Sequence, residues 1–157
     1  MMTADVIKYP LIGIVERNQK VVFAYSAFDE SDFYVVPFHT VLKGYTKSIR
    51  VIDAAGDEYV ASLSKIKGIH WESLRTFGVI TSFLVFLFCG LNFPLKVEFS
   101  LSKVGYSKIE DVKRSLLTIV NQKPKYYTRR SSINTVLKRI NSAKSIDELS
   151  KAISNSG

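Results

Sequence analysis

Residues 1 to 71 alternate between short runs of Val, Ile, Phe and Tyr and short polar breaks, which is the pattern of strands. The runs VIKYPLIGIVE, KVVFAYSAF and DFYVVPF are separated by RNQ at 17 to 19 and DESD at 29 to 32, and β-branched and aromatic runs bounded by turn residues read as strands. Pro10 and Pro37 fall inside two of them. A proline brings no N–H to a ladder, so those strands are expected at a sheet edge or broken at the proline. KSIRVID and DEYVASLS flank AAG at 54 to 56 and predict a hairpin closed by a short glycine-containing loop.

The pattern then changes twice. TFGVITSFLVFLFCGLNFPL, residues 76 to 95, carries no formal charge. A bilayer span needs roughly 20 apolar residues, so its length just qualifies. On a helix, however, Gly78, Ser82, Val85 and Cys89 fall on one narrow stripe of small side chains, and a strand begins at Leu95 with no loop between. A helix that is apolar all round is a buried helix, so residues 72 to 90 are expected to form one inside the core, with a membrane-associated role for 76 to 95 as an alternative. LKVEFSLSK alternates strictly, placing Leu95, Val97, Phe99 and Leu101 on one face.

From there the period becomes helical. Ser107 and Glu110 have capping-box spacing, and Ile109, Val112, Leu116, Leu117 and Val120 follow on one face until Pro124. Ser132 is a cap for a second helix carrying Ile133, Val136, Leu137 and Ile140, and Ser145 with Glu148 repeats the box before Ile146, Leu149 and Ile153. The expectation is one α+β domain over 1–157: strand-rich to 71, a buried helix over 72–90, a strand over 95–103 and helices over 107–155. Its sheet would be a small antiparallel one or a partly open barrel of about five or six strands, packed on the apolar helix.

Charge sharpens this picture because it is unevenly placed. Residues 1 to 75 hold nine basic and nine acidic side chains, whereas residues 76 to 157 hold thirteen basic and five acidic ones, so the whole net charge of +8 is C-terminal. Such an excess suits an anionic partner. It concentrates in NQKPKYYTRRSS, where Lys123, Lys125, Arg129 and Arg130 surround Tyr126 and Tyr127 between two predicted helices. Cations interleaved with aromatics suit a nucleic-acid strand, and equally a protein interface, where Tyr and Arg are favoured anchors. These six residues are the candidate partner-binding site.

Catalytic and cofactor chemistry finds little footing. The eight glycines are never closer than ten positions, so there is no phosphate-cradling loop. His39, His70 and Cys89 are scattered and do not have metal-ligand spacing. Asp29, Glu30 and Asp32 read as a solvated turn before a cation site, and a His39–His70 acid–base pair for a metal-free ribonuclease is a weaker alternative. The expectation is a protein that is not an enzyme and takes no metal or cofactor. The single cysteine excludes an internal disulfide, and MMTADVIKYPLIG lacks a signal-peptide pattern, so a cytoplasmic location is expected.

The order of parts resembles small bacterial immunity proteins of contact-dependent growth inhibition and related polymorphic toxin systems. The likeness rests on the hairpin VIDAAGDEYVASLSKI, the strand LKVEFSLSK, and the helical ending SKIEDVKRSLLTIVNQKPKYY with SINTVLKRINSAKSIDELSKAI, over residues 48 to 155. The resemblance implies a protein-binding inhibitor that covers the active site of one cognate toxin domain. With a charge of +8, the toxin would need an acidic face; a basic nucleic-acid-binding protein is the alternative.

Overall fold

The computed structural model describes residues 7–18, 20–72 and 93–154. Along them the chain forms β1 (Leu11–Arg17), β2 (Lys20–Ala27), α1 (Glu30–Tyr34), β3 (Val35–Pro37), α2 (Phe38–Leu42), β4 (Ile49–Ile52), β5 (Asp57–Ile69) and β6 (Pro94–Tyr106). The C-terminal part forms α3 (Ile109–Gln122), α4 (Pro124–Tyr127), α5 (Ile133–Ser142) and α6 (Ile146–Ser154). All strand pairs are antiparallel, in the order β2-β1-β4-β5-β6-β3. The sheet curls into a half-barrel, so the fold is the expected α+β class with a partly open barrel and a helical C-terminal part.

Alternation along the strands gives the sheet two different faces. Ile12, Ile14, Ala24 and Ile52 point to one side, where they pack on Val112, Leu116, Ile119 and Val120 of α3, Val136 and Ile140 of α5, and Leu149 and Ile153 of α6. On the other side Leu11, Val15, Ile49, Val51, Tyr59, Leu95, Val97 and Phe99 line the hollow of the half-barrel with Phe33 and Val36. The helical stripes read from the sequence are therefore the ones that meet the sheet. In β6 the buried positions are Leu95, Val97 and Phe99, with Lys96, Glu98 and Ser100 exposed, as strict alternation requires.

Turn chemistry closes the β4–β5 hairpin as expected, with one addition. The Asp53 carboxylate is buried and accepts from the backbone N–H groups of Ala55, Asp57 and Lys8, and Gly56 takes a φ of +87°, which a residue with a Cβ rarely adopts. Pro37 ends β3, an edge strand, and Pro10 directly precedes β1. Both placements follow from the missing N–H.

Two local expectations are corrected. DFYVVPF is mostly not strand: Asp29 accepts from the Asp32 N–H and caps the short helix α1, which leaves three residues for β3. A capping side chain at the right spacing outweighs β propensity over so short a run. Ser107 does not cap α3, whose N-cap is Lys108 with no side-chain cap bond. Its hydroxyl instead donates to Glu58 and accepts from Arg50, while Arg50 and Glu58 form a two-pronged ion pair at 2.6 and 3.2 Å. A bidentate charged acceptor competes well against a helix N–H, and it ties the start of α3 to the sheet. By contrast Ser132 and Ser145 do cap, accepting from Thr135 N–H and Glu148 N–H.

Of the buried helix expected over 72–90, every residue but Glu72 lies outside the described residues. The flanks are informative in themselves. Ile69 pairs with Leu95, and the His70 N–H donates to the Pro94 carbonyl at 2.9 Å, so the chain leaves and re-enters the sheet at one place. Among the described residues no helix is long and apolar enough to cross a membrane.

Candidate functional site

The six residues singled out in the sequence fall on α4 and the loop after it, and their fates differ. Pro124 sits at the first position of α4, where its fixed φ suits a helix start. This short turn projects Tyr126 outward at 65% exposure and turns Tyr127 inward at 5%. The Tyr127 hydroxyl accepts from the Ala24 N–H at 3.0 Å and donates to the Ala24 carbonyl at 2.8 Å. β2 is an edge strand, so one side chain satisfies both outward-facing backbone groups at its middle. Burial pushes the Tyr127 phenol up, while its bond to Ala24 opposes that.

Tyr127 is therefore not available to a partner, which corrects its place in the candidate site. The reason is physical: an aromatic ring beside an unpaired strand edge gains both apolar burial and two hydrogen bonds. The other five remain accessible. Lys123 is half-buried, Lys125, Arg129 and Arg130 are exposed, and none of the four forms an ion pair among the described residues. The lysines and arginines elsewhere often do, as in Lys67–Glu98, Lys103–Asp57, Lys113–Glu110 and Lys151–Asp147. The α4 turn is thus a fixed base carrying a patch of uncompensated positive charge around one exposed Tyr.

Beside this patch lies a cavity that the sequence did not reveal. It has a volume of about 550 Å³ and opens where the curling sheet brings its two edge strands toward each other. Val22 to Ser26 of β2 form one wall, Val35 to Pro37 of β3 the opposite one, and His39, Thr40, Lys43 and Tyr45 the floor of the α2 side. Lys123, Tyr126 and Tyr127 close the α4 side. Phe23 is its aromatic hub, packed edge-on against Tyr45 with ring centres 5.7 Å apart and tilted against Tyr25 at 6.2 Å.

Tyr25 explains one glycine. Its ring lies across Gly13 on the neighbouring strand, where a Cβ would come within 2.4 Å of the aromatic carbons. Tyr25 as a whole is half-buried, and its hydroxyl oxygen is fully buried and has no hydrogen-bond partner; His39 Nδ1 is in the same condition. Burial pushes the Tyr25 phenol strongly upward, with Tyr9 adding to it. Burial, then Tyr34 and the acidic residues of α1, push Tyr9 up to about 12.

Of the enzyme-like fragments, Asp32 and His39 reach the lining of this cavity and the others do not. Asp29 caps α1, Asp32 accepts from the Phe28 N–H, and among the described residues no three His, Cys, Asp or Glu side chains converge. His70 is outside the lining and sits 3.3 Å from Glu72. No family model, curated protein or solved structure matches the chain.

Proposed function

We propose that the chain is a non-enzymatic protein-binding inhibitor of the immunity type, which docks the α4 surface onto an acidic face of a cognate toxin domain. The observation that carries this reading is the contrast at the α4 turn. Tyr127 clamps the turn to β2, so Tyr126, Lys123, Lys125, Arg129 and Arg130 are presented on a rigid base, and the four cations have no partner within the chain among the described residues. A pre-ordered aromatic among unpaired cations loses little freedom on binding and so suits an interface anchor. The immunity role itself rests on the resemblance of the sequence.

Nucleic acid is the second reading, and the burial of Tyr127 weakens it. A stacking platform draws on successive aromatic faces, and here only Tyr126 is open. The two readings separate by experiment. Wild type and a Lys125/Arg129/Arg130 triple alanine variant are used to capture partners from the source organism, and the captured protein is expressed alone and together with this chain. The proposal expects one protein that arrests growth alone, is neutralised by the wild type, and is lost with the triple variant or with Tyr126→Ala. Submicromolar binding to random RNA or duplex DNA that falls log-linearly with salt would overturn it.

A further inference from the structure

The cavity between the two sheet edges shares Lys123 and Tyr126 with the surface assigned above, and the rest of its lining has no role in that reading. Its volume of about 550 Å³ lies inside the range of about 300 to 1,000 Å³ typical of small-molecule sites. Phe23, Tyr25 and Tyr45 make its body apolar and aromatic, and two lysines, Lys43 and Lys123, belong to its lining and form no ion pair among the described residues. One carboxylate, Asp32, also reaches it, but that group already accepts from a backbone N–H. The formal charge of the lining is therefore positive.

Tyr25 and His39 also stand in the lining, but the Tyr25 hydroxyl and His39 Nδ1 are shut off from any water-sized space and so do not face the cavity. Apolar walls and unpaired lysines together call for a ligand with an apolar body and one anionic head. We propose that the cavity binds a small amphipathic carboxylate, with Lys43 and Lys123 holding the head and the aromatic wall of β2 holding the body.

Decanoate and its neutral counterpart decanol are the probes, titrated into the full chain by calorimetry. Decanoate is expected to bind saturably at one to one, at least tenfold more tightly than decanol. A Lys43→Gln/Lys123→Gln variant should bring the two probes to the same affinity. Thr40→Trp, which fills the cavity from α2, should abolish both. Should that variant fail to fold, the Lys43→Gln/Lys123→Gln variant keeps the test, since its changes lie on an exposed and a half-buried side chain and should weaken decanoate at least tenfold while leaving decanol affinity and the melting temperature in place. Unsaturable binding, equal affinity for the two probes in the wild type, or decanoate binding indifferent to the lysine substitutions would overturn the proposal. Because no toxin is present, these outcomes are independent of the immunity reading.

Discussion

The two faces of the sheet solve the same problem with different materials. The helix-covered face is aliphatic and closed: Ile12, Ile14, Ile52, Leu116, Ile140 and Leu149 are all wholly shut off from solvent. The hollow face is aromatic and incomplete, with Phe23, Tyr25 and Tyr45 only partly buried around the cavity. Tyr127 and Tyr25, one on each side, condense the difference. Both phenols are buried, but one makes two hydrogen bonds to Ala24 and the other makes none. Ser150 Oγ on α6 is buried without a partner too, so what sets the hollow face apart is the void beside its aromatic rings, which has room for something else.

The largest expected effect tests whether the closed face carries the fold. Leu116→Ala deletes a wholly buried side chain among α3, α5 and the sheet, and should cost about 2 to 5 kcal/mol in urea unfolding. Phe23→Ala removes a larger group but from the wall of an existing void, so it should cost less than Leu116→Ala. The reverse order would show that the cavity side is packed as tightly as the helical side.

The closed face was also the legible one. Helical stripes such as Val112, Leu116 and Val120, or Val136 and Ile140, repeat at a period that only burial on one side explains, and strict alternation from Leu95 to Leu101 did the same for β6. The hollow face hid itself because it is assembled from contacts far apart in sequence. Nothing near Tyr25 announces that its ring covers Gly13, and the cavity exists only because β2 and β3, at opposite ends of the strand order, curl toward each other. In the basic loop the composition was readable but the direction of each ring was not. Tyr126 and Tyr127 are adjacent and chemically identical, and only the position of the β2 edge decides which one turns inward. Ser107 was misread for a related reason, since its stronger acceptor, Glu58, lies 49 residues away.

The next effect sharpens the tyrosine comparison by making the same deletion on both faces. Tyr127→Phe strands the Ala24 N–H and carbonyl in a buried site and should lower stability by about 1 to 3 kcal/mol. Tyr25→Phe removes a hydroxyl that bonds to nothing, so its cost should be near zero, and a gain is allowed. The two differ further in alkali. Burial raises Tyr25 above the usual phenol value of 10.0, and Tyr9 to about 12. A group whose pKa is raised on folding contributes stability that is complete below its unfolded value and is lost as pH rises. Wild-type stability should therefore decline above about pH 10, and Tyr25→Phe should flatten that decline. An equal cost for the two substitutions at neutral pH would mean that the hydroxyls do not differ in the way described.

The smallest effect concerns the joint between the sheet and the closed face. Hydrogen bonding from Arg50 outweighs burial and, with Ser107 and the Arg50 charge, holds the Glu58 carboxyl below its usual value of 4.5. A carboxylate whose pKa is depressed on folding contributes stability that is present above its unfolded value and is lost as pH falls through the folded one. Urea midpoints followed downward from pH 7 should show the wild type losing stability below the usual carboxylate range. Glu58→Gln should lose part of that dependence, so the gap between the two proteins narrows as acid is added. The pair is partly solvated, with 27% and 19% of the Arg50 and Glu58 side chains exposed, and salt screens such pairs. The gap at neutral pH should accordingly shrink in high salt, while the cost of Leu116→Ala, which is apolar, should not. A Glu58→Gln gap that stays constant from neutral to acid would mean that Glu58 joins α3 to the sheet by shape alone and not by charge.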